Sequence, residues 1–206
     1  MMTLLDKIFL LLTGLIAAYL IFYFFKKNNE EKCNCNWYFM LSFTVLLVAG
    51  LILIFSGWQA LGSKFVSIVA GLIPFGIALG LISKLYPSKE KLYLIVLGLG
   101  LILIAITKLA DMGTFGKIVY PLFHGIAGLT IFFVPILKFK EGTTDKMFLF
   151  VTLGGTLIGL GGIALAFISA GKQLLFFSPQ FVLTILAPLL FLTTLSYAIG
   201  FIKGKY

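Results

Sequence analysis

The residue best suited to chemistry in this sequence is His124, the only histidine, which lies inside the apolar stretch "YPLFHGIAGLTIFFVPILKFK". Imidazole changes its charge near neutral pH, so it serves as a general base, a proton carrier or a metal ligand. A catalytic role requires a second group beside it, such as a nucleophile or an orienting acid. No Asp or Glu lies inside any of the apolar stretches that predict membrane spans, so a proton relay and intramembrane hydrolysis both lack an acid.

The cysteine and arginine content narrows the chemistry further. Cys33 and Cys35 are the only cysteines, and the spacing in "KCNCNW" holds a soft metal only when a partner supplies more ligands. Two cysteines also predict no disulfide framework. None of the 16 basic residues is an arginine, the residue favoured for phosphate and nucleic-acid recognition. We expect no metal, no cofactor and no nucleic-acid partner, and a non-enzyme is favoured over a membrane enzyme that depends on a partner or metal.

Hydroxyl groups in the last apolar stretch are, with His124, the candidates for lining a weakly polar pathway or contacting a ligand. They are Thr184, Thr193, Thr194, Ser196 and Tyr197. An ionisable side chain inside a membrane faces the protein interior or a cavity, which suits a pathway role for His124. The alternative is a neutral imidazole that makes one hydrogen bond between helices. The sequence leaves both roles open.

Two prolines interrupt apolar stretches and are candidate hinges. Pro74 lies in "VAGLIPFGIALG" and Pro188 in "TILAPLLFLTT". Each removes a backbone donor and frees a carbonyl about one turn earlier, near residues 70 and 184. Transporters use such interruptions to expose backbone polar groups to substrate at the middle of the membrane. The alternative is a simple kink, which proline commonly produces in spanning helices.

Glycines at helical spacing predict close contacts between helices. Small residues let helix backbones approach each other, and packing drives helix association in lipid. The candidates are Gly76, Gly80, Gly125, Gly128, Gly155, Gly159 and Gly162. These positions serve packing either inside one chain or between copies of it, and the sequence does not separate the two.

The elements that carry these residues are membrane-spanning helices. The chain is 61% hydrophobic and 11% charged, whereas a soluble domain carries about 25% charged residues. Apolar runs of 18 or more residues predict helices that cross the bilayer. The predicted spans are 8–25, 38–55, 65–85, 92–107, 117–137, 147–169 and 181–202. We therefore predict a single polytopic domain, residues 1–206, folded as an all-α bundle of seven transmembrane helices.

The lysine distribution predicts the orientation of this bundle. Eleven of the 16 lysines lie at loops 1, 3 and 5 and the C-terminus, and the other five lie on the opposite side. Since lysine is enriched in cytoplasmic loops, we expect the C-terminus inside and the N-terminus outside, in a prokaryotic cytoplasmic membrane. Lys26 and Lys27 follow the first apolar run, so we expect that helix to be retained and not cleaved as a signal peptide.

An internal repeat is suggested when the chain is shifted on itself by 114 residues. The shift aligns Pro74 with Pro188 and Gly14 with Gly128. It also pairs Gly57 with Gly171, Gln59 with Gln173, Phe25-Lys26 with Phe139-Lys140 and Glu31-Lys32 with Asp145-Lys146. Residues 8–85 would then correspond to residues 117–202, with the helix at 92–107 as a linker.

A plan of three, one and three helices with parallel halves resembles that of the SWEET sugar transporters. Those proteins carry a Pro-Gln motif early in each half, whereas here it occurs once, at Pro179-Gln180, so the likeness concerns the plan alone. We predict a small transporter or channel for an undefined solute. The alternatives are a non-catalytic subunit or scaffold of a larger membrane complex, and the partner-dependent enzyme. The expected partners are membrane lipids, with further copies or other membrane subunits.

Overall fold

The computed structural model describes residues 2–169 and 178–206 of the chain, with side chains described for residues 2–165 and 178–206. Within these residues every long element is an α-helix and there is no strand, which confirms the all-α prediction. The helices are α1 (Leu4–Glu30), α2 (Asn34–Ser56), α3 (Lys64–Ala70), α4 (Leu72–Leu85), α5 (Glu90–Leu109), α6 (Gly113–Lys140), α7 (Leu149–Ser169) and α8 (Pro179–Lys203). Short 3-10 turns occupy Trp58–Gly62, Pro87–Lys89 and Lys146–Phe148.

These helices form seven spans, because α3 and α4 together cross the membrane once. Each span is long and apolar enough for a bilayer, so the chain is an integral membrane protein, as predicted. Apart from the sixth span, the helices extend beyond the predicted limits because polar end turns carry no hydropathy signal. The start of α1 illustrates this: the Thr3 hydroxyl accepts from the Asp6 N–H, and the Asp6 carboxylate accepts from the Thr3 N–H. This capping box begins the helix at Leu4.

The third span is interrupted close to Pro74. Helix α3 ends at Ala70, four residues before that proline, and α4 begins at Leu72 after Gly71. The missing N–H of Pro74 explains the position, since it would otherwise bond to the carbonyl of Ala70. The last span behaves differently, because α8 runs unbroken from Pro179 to Lys203 through Pro188. The two candidate hinges are therefore not equivalent in backbone structure.

Six helices contact one another in a closed order. Contacts run from α1 to α2, α4, α6, α7 and α8, and then back to α1, while α5 packs against α4 and α6. The last contact includes a hydrogen bond from the Tyr23 hydroxyl on α1 to the Phe201 carbonyl on α8, at 3.1 Å. The helices thus contact one another in chain order around the bundle, and their division into two parallel halves stays a prediction.

Burial agrees with the shift of 114 residues at three positions of α1 and α6. In α1, Thr13, Ala17 and Leu20 are buried. Their counterparts in α6, Ala127, Ile131 and Val134, are buried as well. The matches at Gly171 and Gln173 lie outside the described residues, and the duplication itself stays a prediction.

The core is aromatic at the end of the bundle where α1 meets α2. The rings of Phe24 and Phe39 have centroids 4.7 Å apart, and those of Phe39 and Phe201 are 4.6 Å apart. Phe43 and Tyr197 extend the cluster toward the middle of the bundle. Many large apolar side chains on the outer helix faces are exposed, as expected for a surface that contacts lipid.

Candidate functional site

The predicted pathway residues on α8 divide into two groups. Thr193 and Tyr197 lie one turn apart on the same face, and each is 1% exposed. In the part of the chain that the structure describes, neither hydroxyl has a hydrogen-bond partner. A Cβ on Gly154 of α7 would lie 2.8 Å from the Tyr197 ring and 3.1 Å from the Thr193 carbonyl, so α7 packs directly against this face. A buried hydroxyl without a partner costs free energy and requires an explanation.

The other hydroxyls of α8 are satisfied within their own helix. Thr194 donates to the Leu190 carbonyl at 2.8 Å, and Ser196 donates to the Leu192 carbonyl at 2.7 Å. Thr184 is exposed and donates to the Gln180 carbonyl at 2.9 Å. Such bonds to a preceding carbonyl are the ordinary way in which Ser and Thr are accommodated in a helix. Their hydroxyl hydrogens are thus already committed to backbone acceptors.

A cavity of about 240 Å³ lies where the start of α1 meets the start of α8. Its lining includes two predicted residues, Thr184 and Pro188, together with Gln180 and Asp6. Asp6 is 6% exposed, and its Oδ2 accepts from both the N–H and the hydroxyl of Thr3. The expectation that no acid lies within a spanning helix is therefore wrong for the first turn of α1. The signal that was missed is the capping pattern Thr3-x-x-Asp6, which extends the helix beyond its apolar part.

His124 lies on α6 and faces α7. Its ring stacks on Tyr120 with centroids 5.3 Å apart, and its Nε2 would lie 3.4 Å from a Cβ added to Gly162. Its Nδ1 is enclosed and has no hydrogen-bond partner among the described residues. The interhelical hydrogen bond considered for this imidazole is thus not made by that nitrogen.

His124 and Tyr197 contact the same helix at different levels. Their neighbours on α7, Gly162 and Gly154, are eight residues apart, which is about 12 Å along a helix axis. The structure therefore places the imidazole and the α8 hydroxyls at two levels of α7 and against two of its faces, since Gly155 and Gly162 face α6 whereas Gly154 and Gly161 face α8. It does not gather them into one compact site, and their functional roles stay predictions.

The predicted packing glycines also divide into two groups. Gly76 approaches Ser42 and the Tyr38 carbonyl, and a Cβ on Gly80 would lie 2.5 Å from the Phe39 ring. Similarly, a Cβ on Gly155 would lie 2.5 Å from Ile131. The second group consists of Gly125, Gly128 and Gly159. A Cβ added at any of these three would meet no atom within 4 Å among the described residues.

A polar cluster on the lysine-rich side was not found from the sequence. Glu90 at the start of α5 accepts from Asn34 at 3.0 Å, Tyr38 at 3.0 Å and Ser83 at 2.9 Å. These donors come from α2 and α4, so one carboxylate joins three helices. No sequence signal short of the helix order reveals it, because the residues are up to 56 positions apart.

Ion pairs beside this cluster connect neighbouring helices. Glu31 pairs with Lys84 at 2.7 Å, and the ammonium group holds the pKa of that carboxyl below its ordinary value. On the opposite side of the bundle, Asp111 pairs with Lys64. Lys108 instead lies 5.4 Å from the centroid of the Tyr120 ring. Asp111 therefore pairs across the bundle with Lys64 and not with Lys108, three residues before it on the same chain.

The cysteine pair forms a local link. Cys33 and Cys35 are bonded to each other as a disulfide that encloses one residue, so it is not a framework that joins distant segments. Among the described residues, there is no group of three His, Cys, Asp or Glu side chains that would hold a metal ion. A comparison of the chain with protein-family models, curated proteins and solved structures finds no match.

Proposed function

We propose that this protein is a small transporter or channel for a neutral, hydrogen-bonding solute. The observation that carries the proposal is the pair of buried hydroxyls on Thr193 and Tyr197, which have no partner within the described residues. Inside a membrane such groups are retained at a cost, and they mark candidate solute pathways. Hydroxyls carry no charge, so they suit a polyol, an amide or a similar small solute better than an ion.

The helix order supports a transport role. Transporters commonly consist of two repeats related by an axis in or across the membrane, and their substrate sites lie near the bilayer midplane between the repeats. The closed order of α1, α2, α4, α6, α7 and α8 is compatible with two such halves. On this proposal the cavity beside Thr184 and Pro188 is the entrance from one side of the membrane.

The proposed orientation follows from the lysines. We place the end with Glu31, Glu90 and the C-terminus in the cytoplasm, since eleven of the 16 lysines lie on that side. The cavity between the starts of α1 and α8 then opens outside a prokaryotic cytoplasmic membrane. Pro188 and the interruption before Pro74 are the proposed hinges.

A flux assay tests the function directly. The full chain is reconstituted into liposomes, and volume recovery after an osmotic challenge is followed by light scattering with urea, glycerol, a pentose or potassium chloride. We expect at least one neutral solute to enter roughly tenfold faster than into empty liposomes, while potassium chloride does not. Equal recovery in both liposome preparations for every neutral solute would contradict a transport function.

Matched variants test the pathway itself. Thr193→Val and Tyr197→Phe remove the two partnerless hydroxyls and should reduce the flux severalfold. Thr194→Val is the control, because that hydroxyl is equally buried and already bonded to Leu190. His124→Ala and Pro188→Ala test the second level and the hinge. A flux that is unchanged in Thr193→Val, Tyr197→Phe, His124→Ala and Pro188→Ala would show that the pathway lies elsewhere.

A second candidate function rests on the open glycines of α6. A Cβ added to Gly125 or Gly128 would meet no atom of another described helix within 4 Å, and Leu122 and Leu129 beside them are exposed. Small residues on a lipid-facing surface are suited to contact with another helix. This favours a subunit that associates with further copies or other membrane proteins. Its test is the mass of the detergent-solubilised particle, which Gly128→Leu should reduce to that of a monomer.

A further inference from the structure

A disulfide between Cys33 and Cys35 lies where the loop after α1 meets the start of α2. Cys33 and Cys35 have Cα atoms 5.1 Å apart and enclose the single residue Asn34. Cys33 is partly exposed and occupies the N-cap of α2, whereas Cys35 is only 2% exposed and packs into the core. One sulfur of the pair therefore belongs to a residue that a reagent from the aqueous side reaches much more easily.

The surroundings of the pair favour a thiolate. The N–H of Cys35 points at the Cys33 Sγ at 3.2 Å, and both residues lie at the beginning of a 23-residue helix. Backbone N–H groups at a helix N-terminus stabilise negative charge and lower the pKa of a cysteine located there. Glu31 is the acid nearest to Cys33 on the N-terminal side. Its carboxylate forms an ion pair with Lys84, and this pair reduces the repulsion between Glu31 and a thiolate at Cys33.

We propose that Cys33 and Cys35 form a redox-active pair that exchanges with an external dithiol at the membrane surface. A thiolate of the dithiol attacks the Cys33 sulfur, the bond between the two cysteines breaks, and Cys35 leaves as a thiolate that takes up a proton. The second thiol of the dithiol then attacks the mixed disulfide and releases Cys33. Two electrons and two protons pass from the dithiol to the pair, and the dithiol becomes a disulfide.

The location of the pair supports exchange over a purely structural role. The link closes a loop of one residue, so it constrains the unfolded chain far less than a bridge between distant segments would. The pair also lies on the lysine-rich side, which is proposed to be cytoplasmic. Disulfides in the cytosol are usually transient and take part in catalysis or redox sensing.

The redox state of the pair is connected to the helix bundle. Asn34, the residue between the cysteines, donates to Glu90 on α5, and Asn36 donates to the Glu31 carbonyl. Opening the disulfide frees the backbone at Asn34 and thereby acts on the carboxylate that joins α2, α4 and α5. The exchange site is thus placed where its state can reach three helices.

The first experiment measures reversibility on the full chain in mild detergent. The protein is equilibrated with mixtures of reduced and oxidised dithiothreitol at neutral pH, and free thiols are counted by mass after maleimide labelling. We expect zero or two labels per chain, a smooth two-electron transition, and return to the oxidised form when oxidised dithiothreitol is in excess. A pair that resists the dithiol while the protein is folded is a structural link only and overturns the proposal. A pair that oxidised dithiothreitol fails to re-form overturns it too.

Single variants test which sulfur exchanges. Both Cys35→Ser and Cys33→Ser abolish the disulfide, so any effect of its loss on folding is the same in the two variants. Circular dichroism checks that both variants are folded. With an aromatic disulfide as the probe, the thiol of Cys33 in Cys35→Ser should react at least tenfold faster than the thiol of Cys35 in Cys33→Ser. Equal rates would contradict the assignment of Cys33 as the exchanging residue.

Discussion

The two halves of the bundle differ in how well their polar and small residues are matched. At the shift of 114 residues, Ser83 on α4 corresponds to Tyr197 on α8. The Ser83 hydroxyl donates to Glu90 at 2.9 Å, whereas the Tyr197 hydroxyl has no partner among the described residues. Gly14 and Gly128 differ in the same direction: a Cβ on Gly14 would meet Leu47 at 3.3 Å, and one on Gly128 would meet no described atom within 4 Å.

This difference separates a structural half from a half that carries candidate functions. The first half, α1 to α4, contains Gly76 and Gly80, two of the three tightly packed predicted glycines, and most of the aromatic core; the third, Gly155, lies on α7. The second half, α6 to α8, contains the enclosed Nδ1 of His124 and the partnerless hydroxyls of Thr193 and Tyr197. Unsatisfied groups persist in a native structure when function retains them, so mutations should lower stability in the first half and alter activity in the second.

The largest effect is expected from filling a tight glycine of the first half. Gly80→Leu pushes a side chain into Phe39, whose ring already lies 2.5 Å from where a Cβ would sit. We expect a loss of about 3 kcal/mol or failure to fold, since inserting methylenes into a packed core typically costs about 1–3 kcal/mol. The measurement is thermal unfolding in mild detergent, followed by circular dichroism.

The matched control for this variant is Gly128→Leu in the second half. The space around Gly128 is open within the described chain, so the unfolding temperature of the monomer should change little. If Gly128→Leu destabilised the protein as much as Gly80→Leu, the proposed difference between the halves would not exist.

A smaller loss of stability is expected when Glu90, the hydrogen-bond acceptor that joins α2 and α4 of the first half to α5, is replaced. Glu90→Leu leaves the donors of Asn34, Tyr38 and Ser83 without their carboxylate. Hydrogen bonds to charged groups contribute about 1.5–3 kcal/mol, and because Glu90 is partly exposed we expect a loss of about 2 kcal/mol. The control is Glu141→Leu, which breaks only an exposed pair with Lys138. A comparable loss in both variants would show that the cluster at Glu90 has no special role.

Sequence reasoning predicted the fold because hydropathy is a local signal. Long apolar runs such as those at 38–55 in α2 and 92–107 in α5 predict spanning helices without any knowledge of tertiary contacts, and all seven spans are present. The position of the interruption near residue 70 agrees with the missing N–H of Pro74, but a proline alone does not predict a break, because α8 runs unbroken through Pro188.

The contacts of the site were less predictable because they depend on the helix order. Glu90 reads as an ordinary charge at a helix start, and only the packing of α2 and α4 beside α5 gives it three donors. Conversely, the glycine pattern in α6 predicted a close neighbour at Gly125 and Gly128 that the described chain does not supply. Spacing along one helix identifies a face, but it does not identify what covers that face.

In the second half, removing a hydroxyl that has no hydrogen-bond partner should raise the stability of the protein, not lower it. Tyr197→Phe deletes an oxygen that makes no hydrogen bond among the described residues while it keeps the ring against Phe43 and Phe201. We expect the free energy of unfolding to rise by about 1 kcal/mol, because the cost of burying a bare hydroxyl disappears. Ser83→Ala, at the corresponding position, should lower it. If Tyr197→Phe also lowered stability, the hydroxyl would have a structural partner and would not mark the proposed pathway.

The smallest effect concerns the ion pair of the first half and is revealed by pH. Since the hydrogen bond from Lys84 lowers the pKa of Glu31 in the folded protein, this carboxyl stabilises the fold above its ordinary pKa of 4.5. That contribution is lost as the pH falls through the lowered folded-state value. Because the Glu31 side chain is 51% exposed, the gain is only a few tenths of a kcal/mol. Unfolding temperatures of the native chain and Glu31→Gln should therefore differ slightly at pH 7 and converge in acid, whereas a constant difference would rule out the ion pair as its source.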